Sequence, residues 1–169
     1  MAVVATDQIT VLEAVIARLI KHVPGLNAST CFLSLSDDPP PGVVHNLFVM
    51  VSPTNGRFDD GAFAGGAEHT VFENTGVAVT LCSKVLLDRA GQDAVLLTER
   101  VRGLLAIKRQ VLLALLTNGP LQDPDGSDLL INLMAPLDSR EPVYDTETRL
   151  GRIALVFSAD FHWDMTVAG

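Results

Sequence analysis

Apolar residues near the start of the chain recur with the period of a helix. Thr6 and Asp7 have the chemistry of a helix start, and Pro24 with Gly25 ends the pattern. Between them the apolar positions fall three or four residues apart, at Ile9, Leu12, Ile16, Leu19 and Val23. This spacing predicts a helix of about sixteen residues that covers the rest of the fold with one apolar face.

Four other stretches have the pattern of β-strands. Alternation over residues 29–36 predicts one strand, and the nearly all-apolar stretch 43–52 predicts a central one. Residues 70–87 predict an extended segment, in which Asn74-Thr75-Gly76 has the composition of a tight turn or bulge inside a hairpin. The clearest alternation, over residues 152–165, predicts a long last strand.

A second helix is predicted before Asn118-Gly119-Pro120, which has helix-stop chemistry. Residues 94–117 are mostly good helix formers, but Gly103 interrupts them, so the firm helix is expected over 104–117. Its last turns, residues 111–116, are apolar all round. That composition predicts burial on more than one side.

Two stretches have no regular pattern. Residues 53–69 include four glycines and two adjacent aspartates. A segment of this length and glycine content, without a hydrophobic period, predicts a flexible arm. Phe58 and Phe63 in it could dock into a partner's groove or fold back on their own core. Residues 135–151 are polar, contain proline and are expected to form an irregular loop.

The order of these elements predicts one α+β domain over residues 1–169. We expect a sheet of about four mostly antiparallel strands, with two helices packed on it and long irregular loops between them. Neither an internal repeat nor the glycine-rich turn of a dinucleotide-binding fold is present in the sequence.

Composition narrows the classes of function. The chain is 48% hydrophobic, and its net charge of −8 argues against a grip on nucleic acid. It lacks an apolar run long enough for a membrane span and a signal-peptide pattern, so a cytoplasmic origin is expected. Five of the twelve basic residues lie between Arg89 and Arg109, while nine acidic residues lie from Asp123 onward. The charges could balance within one chain, or a basic face could meet an acidic face on a neighbouring subunit.

Candidate chemical motifs are weak. Cys31 and Cys82 fit half-buried thiols inside strands. The stretch DPDGSD, residues 123–128, begins like a calcium loop, but Met134 stands where the glutamate is required, so a polar turn is expected. His162 lies near Asp164 without a third metal ligand, and Glu68-His69 lacks the setting of a nucleophile. We therefore predict no catalytic residues, no metal and no cofactor.

Three segments resemble the tail terminator family of tailed bacteriophages, also called tail-completion or neck proteins. They are DRAGQDAVLLTERVRGLLAIKRQVLLALL (88–116), LQDPDGSDLL (121–130) and RIALVFSADFHWDM (152–165). The first is similar to a segment that leads from a strand through a loop into a helix, and the last to a terminal strand. The opening helix and residues 43–52 fit the same layout, so the pattern covers most of the chain.

This resemblance implies a structural virion protein rather than an enzyme. Its subunits would form a hexameric ring on the upper end of the tail tube, stop tube growth and join the tail to the head. The implied partners are other copies of the chain, the tail tube protein and the head–tail connector or stopper. DNA would pass through the lumen without specific binding, no membrane would be involved, and assembly would take place in the host cytoplasm.

Residues that could contact these partners lie in the arm and in the basic region. They are Arg57, Phe58, Asp59, Asp60, Phe63, Arg100, Arg102, Lys108 and Arg109. Residues 39–41 and 135–147 match no feature of the family. The alternatives are another neck component, the cap of a contractile injection system, or a small enzyme or ligand-binding domain that uses the glycine-rich loop.

Overall fold

A computed structural model describes residues 6–35, 39–40, 43, 45–58, 72–84, 103–130, 134–145 and 150–163. Its helices are α1 (Gln8–His22) and α2 (Leu104–Leu116). Its strands are β1 (Cys31–Leu33), β2 (Leu47–Phe58), β3 (Phe72–Lys84), β4 (Ala135–Ser139), β5 (Val143–Asp145) and β6 (Leu150–His162). The predicted α+β class is confirmed, with more strands than the four expected.

The strands form one sheet in the order β1-β2-β3-β6-β4, and β5 also pairs with β6. Only β1 and β2 are parallel among these pairs, so the prediction of a mostly antiparallel sheet is confirmed. The three long strands β2, β3 and β6 are its centre. They are paired from Leu47 opposite Ser83 to Phe58 opposite Glu73, and from Lys84 opposite Leu150 to Phe72 opposite His162.

Both helices pack on one face of the sheet. Alternate residues of the long strands point to them, because side chains along a strand alternate between its two faces. The core formed there includes Val11, Val15, Leu19, Ile107, Val111, Val49, Val79, Leu155 and Phe157. A smaller apolar cluster on the same sheet joins Phe48, Met50, Cys82 and Leu150, and Phe32 stacks on Phe48 with ring centroids 6.2 Å apart.

The bounds of α1 follow the prediction, and its buried face does so in part, since Leu12, Leu19 and Val23 are buried. Asp7 caps the helix by accepting from the Thr10 amide at 2.7 Å. The residues buried against the core are Val11, Leu12, Val15 and Leu19, whereas Ile9 is 61% exposed. Apolar residues occupy more than half of the helix circumference, so their period alone could not identify the face that meets the sheet.

Two predictions about the β2–β3 region were wrong. Strand β2 continues to Phe58, so residues 53–58 belong to the sheet, and the rest of the predicted arm lies outside the described residues. Asn74-Thr75-Gly76 is not a turn but part of β3. The irregularity lies opposite, in β2, where Pro53 and Gly56 pair with Val77 and Thr75. One extra residue on β2 is the signature of a bulge.

The predicted loop over residues 135–151 was also wrong in large part. It contains β4 and β5, which both pair with β6. All five residues of β4 are exposed, and a register shift occurs between Pro136 and Asp138. Polar side chains, a proline and a bulge are common at a sheet edge, where one side of the strand makes no ladder. The predicted strand over 29–36 is shortened to the three residues of β1.

The prediction for the second helix is confirmed in its bounds, and within one copy its last turns are buried on one side only. Helix α2 ends at Leu116, with Thr117 as its C-cap residue. One side packs into the core, but Leu105, Leu113 and Leu116 are exposed, because no described residue covers the other side. Neither described helix has the length and apolar composition of a membrane span.

Candidate assembly surfaces

Side-chain hydrogen bonds fasten the end of the sheet from which the predicted arm departs. Gln8 Nε2 donates to Thr75 Oγ1 at 2.8 Å, and Trp163 Nε1 donates to Glu73 Oε2 at 2.7 Å. Glu73 is buried, and the indole bond satisfies part of the need of its carboxylate for donors. The first turn of α1 and the residue after β6 are thereby attached to β3, near the last described β2–β3 pair, Phe58 opposite Glu73.

Trp163 could serve as a lid on the core or as an interface anchor. It is half-buried, packs against the main core, and its ring lies 5.8 Å from that of Phe161. Its ring nitrogen is bonded to Glu73 within the chain. These contacts favour the lid.

The sheet also has two shallow depressions near the loop between β4 and β5. One, of about 260 Å³, has small residues such as Ala78 and Ala154 in its lining together with Arg140. The other, of about 150 Å³, is lined in part by Thr80, whose buried hydroxyl has no hydrogen-bond partner among the described residues. Within the part of the chain that the structure describes, neither depression is lined by histidine or cysteine. The described lining residues therefore include no pair of a nucleophile with a histidine base.

The motifs that suggested metal or thiol chemistry have structural roles. Asp123 Oδ1 accepts from the Ser127 amide at 2.8 Å in a turn where Gly126 has φ 84°, so DPDGSD forms the polar turn expected. Cys31 and Cys82 are free and buried, and burial raises the pKa of each thiol to about 12. Burial lowers the pKa of His162. Among the described residues, no group of three or more possible metal-ligating side chains comes together.

Helix α1 carries an apolar surface that its own chain leaves partly uncovered. We call this surface the α1 stripe; it consists of Ile9, Glu13, Ile16, Ala17 and Ile20. Ile9 is 61% exposed, and Ile16 and Ile20 only partly contact the core. Glu13 is exposed and is the single charge in the stripe.

Helix α2 carries a second surface of the same kind. We call this surface the α2 stripe; it consists of Leu105, Arg109, Leu112, Leu113 and Leu116. Leu105, Leu113 and Leu116 are 41%, 47% and 36% exposed, and Leu112 is partly buried. Arg109 is exposed and is the only charge among them. Apolar area left open in this way commonly marks an interaction site.

The structure places only part of the predicted contact set. Arg57 is exposed near the end of β2, and Phe58 is the last residue of that strand. Lys108 donates to Ser139 Oγ of β4 at 2.6 Å. Arg57 is therefore not brought together with Lys108 and Arg109, because β3 and β6 lie between β2 and β4. Asp59, Asp60, Phe63, Arg100 and Arg102 lie outside the described residues.

Reasoning from the sequence selected Arg109 and predicted that residues 111–116 are buried on more than one side. It missed the α1 stripe, whose Ile9 and Ile16 were assigned to the packed face, since an apolar residue on an amphipathic helix normally faces inward. The signal that could have identified them is the width of the apolar surface. Each helix has more apolar positions than one packed face requires.

Comparison with known proteins identifies the fold. The sequence matches no protein-family model and no curated protein. The fold is similar to that of the sheath/tube terminator, in its extended state, of the extracellular contractile injection system PVC. The TM-score is 0.59 at 14% identity over 98% of this chain, which spans 59% of the terminator chain. It is also similar to a chain from the virion of a native gene transfer agent particle, with a TM-score of 0.51 at 16% identity, covering 90% of this chain and 97% of that one. The α+β fold is thus similar to folds found in a sheath/tube terminator and in a virion particle.

Proposed function

We propose that this chain is a structural tail protein of the terminator type. Copies would form a ring, expected to be hexameric, that caps the tail tube and joins it to the connector on the head. The observation that carries the proposal is the likeness of nearly the whole chain to a sheath/tube terminator. The predicted resemblance of the sequence to phage tail terminators supports the same conclusion independently of that comparison.

The physical properties of the chain suit this role. A net charge of −8 would repel DNA from the wall of a channel, which allows passage without specific binding. The central strands are long and paired along most of their length, so the subunit has a rigid frame. Its exposed large apolar side chains lie on both helices and in or beside β1, β4 and β5, at Ile9, Leu33, Leu35, Leu105, Leu113, Leu116, Leu137 and Val143. Such a protein is suited to contacts with other proteins rather than to chemistry on a small substrate.

Residues 59–69 are proposed as an arm that contacts the tube, the connector or a neighbouring copy. The strands on either side are paired up to Phe58 opposite Glu73, so the two ends of the segment lie side by side. Arg57 is exposed at its root. We assign partner contacts to Arg57, Phe58, Asp59, Asp60 and Phe63, and contacts with a neighbouring copy to the basic residues Arg100, Arg102, Lys108 and Arg109.

Electron microscopy of tail tubes assembled with and without the protein tests the proposal. We expect tubes of limited length with a ring at one end when the protein is present. Asp125, an exposed residue of the turn after α2, provides a control variant, Asp125→Ala, that should cap equally well. Tubes that grow uncapped in the presence of folded protein would contradict the function.

A second candidate is a cap in a contractile injection system rather than in a phage. It is favoured by the particle from which the similar sheath/tube terminator comes. A different neck component, such as a stopper, would bind the connector without limiting tube growth. The stoichiometry of the ring and the end of the tube that it occupies distinguish these roles.

A further inference from the structure

The α1 and α2 stripes have the same spacing and opposite charges. Counted from Ile9 and from Leu105, the apolar residues fall at the first, eighth and twelfth positions, and the charge falls at the fifth. The apolar members are Ile9, Ile16 and Ile20 in one stripe and Leu105, Leu112 and Leu116 in the other. The charge is Glu13 in the first stripe and Arg109 in the second. Each stripe thus offers an apolar row with one central charge that the other could neutralise.

The α1 stripe lies on the side of α1 that faces away from α2. Arg18 donates to the carbonyl oxygens of Gly119, at 2.6 Å, and of Pro120, which follow α2. Arg18 therefore marks the side of α1 that faces α2. It comes nine residues after Ile9, which is about two and a half helical turns, so the two residues lie on opposite sides of the helix.

The α2 stripe lies toward the other edge of the sheet. Lys108 is three residues after Leu105 and four before Leu112, so it borders the stripe on the helix surface. Its ammonium contacts Ser139 of β4, the edge strand. Helix α1 lies over β1 and β2, and α2 lies over β3 and β6. The two stripes therefore lie over different strands of the sheet.

We propose that the α1 stripe of one copy packs against the α2 stripe of the next, with Glu13 paired to Arg109. The occupant of each surface is a second copy of this chain, a choice that rests on the proposed ring and on the charge complementarity. Helices packed in parallel would place the two charges opposite each other. Antiparallel packing centred on the stripes would offset them by three residues, or about 4.5 Å, which the arginine side chain can span.

Pairing of unlike stripes makes the contact head to tail. Packing α1 against α1 would oppose two glutamates, and packing α2 against α2 would oppose two arginines, so like charges disfavour both. A contact between two different surfaces can repeat from copy to copy, and it closes into a ring when the rotation permits. The apolar members supply contact area, and the ion pair selects the partner stripe.

Charge reversal tests the pairing. Sedimentation velocity at rising concentration should show self-association of the wild-type chain. Glu13→Arg and Arg109→Glu should each weaken it at least about tenfold, because each opposes like charges at the contact. The double variant should recover most of the loss, since it restores an opposite pair. Asp125→Arg, a change of the same size on an exposed turn, should associate like the wild type.

Cross-linking tests the head-to-tail geometry. Ala17 and Leu113 hold the same place in their stripes, eight residues after Ile9 and Leu105. A variant with both Ala17→Cys and Leu113→Cys should form a ladder of covalent oligomers with a bifunctional maleimide that spans one helical turn. Each single variant should stay uncross-linked. The native thiols of Cys31 and Cys82 give little background, because they are buried with a pKa of about 12.

Several outcomes would overturn the inference without deciding the function. They are a wild-type chain that stays monomeric at every concentration, a double charge variant no better than the single ones, and covalent dimers from one cysteine alone. If the single charge variants still cap tubes normally, the terminator function stands and this interface is wrong. If the double variant restores association but no tube is capped, the interface stands and the terminator function is wrong.

Discussion

The two helices lie on the same face of the sheet but are specified in different ways. Helix α1 has a side-chain N-cap, Asp7, and basic residues, Lys21 and His22, in its last turn. Both features stabilise a helix locally, through the orphan amides and the helix dipole. Helix α2 begins at Gly103 without a side-chain cap and has no charge suited to the dipole in its first or last turn.

Packing and leucine-rich composition compensate for the missing caps of α2. Its residues have high helix propensity, and its buried side inserts Ile107, Val111 and Leu115 into the core. Its C-terminus is closed locally, where Thr117 Oγ1 donates to the Leu113 carbonyl at 2.6 Å. The outer leucines Leu105, Leu113 and Leu116 contribute less to this packing within one copy, because they are 41%, 47% and 36% exposed. The comparison of the helices thus distinguishes the buried residues of α2, which stabilise the fold, from its outer residues, which remain available for contacts.

Truncation of buried leucines should have the largest effect, and it should be similar in both helices. Leu19→Ala and Leu115→Ala should each lower the free energy of unfolding by about 2–5 kcal/mol, through lost burial and the cavity left behind. The matched outer changes, Ile9→Ala and Leu113→Ala, should cost less than about 0.5 kcal/mol in dilute protein. Urea unfolding at low concentration measures all four. Equal losses at Leu113 and Leu115 would show that the outer face of α2 is already covered within one chain.

The contact between the helices should have an intermediate effect. Arg18 joins α1 to the turn after α2 through the carbonyls of Gly119 and Pro120. Arg18→Ala should cost about 1–2 kcal/mol, because charge-assisted hydrogen bonds to partly exposed carbonyls are lost. Lys21→Ala removes a charge from an exposed position on the same helix and serves as the control, with a smaller expected loss. Thermal unfolding monitored by circular dichroism compares the two variants, and equal losses would count against a role for the Arg18 contact.

Removal of the α1 cap should cost somewhat less. Asp7→Ala is expected to destabilise the protein by about 1 kcal/mol, since the Thr10 amide loses its acceptor. Asp7→Asn keeps the acceptor and removes the charge, so it should retain most of the stability. Urea midpoints of the two variants separate the hydrogen bond from the dipole effect. Equal losses in both would mean that the charge, not the bond, stabilises the end of α1.

The elements that follow a strong local pattern could be predicted from the sequence. The bounds of α1, α2 and the last strand were recovered, because periodicity and stop residues are local signals. Strands β4 and β5 were missed because an edge strand needs no buried alternation, and their composition is that of a loop. Asn74 to Gly76 are in a strand because they pair with β2, and the bulge lies in β2 rather than in these residues. Local sequence does not contain that information.

The candidate surfaces were predictable only in part. Arg109 and the idea of opposite charges on neighbouring subunits came from the charge distribution along the chain. The partner of Arg109 proposed here, Glu13, lies outside the acidic region from Asp123 onward that the sequence suggested. Selecting Glu13 as the partner requires knowing which side of each helix packs on the sheet. The period of apolar residues does not determine that side.

Replacing Leu113 should change the stability of one isolated copy least. The same replacement tests the comparison of the two helices most directly. Replacement by Gln keeps a good helix former and removes apolar surface, so the melting temperature in dilute protein should change little. In concentrated wild-type protein, association of folded copies should raise the melting temperature, because binding to the native state alone stabilises it. Leu113→Gln, which places a polar amide in the contact, should reduce that rise, while Asp125→Ala should keep it. Differential scanning fluorimetry across a concentration series measures both. A rise that survives in Leu113→Gln would mean that copies associate through another surface and that the outer leucines of α2 are not what joins them.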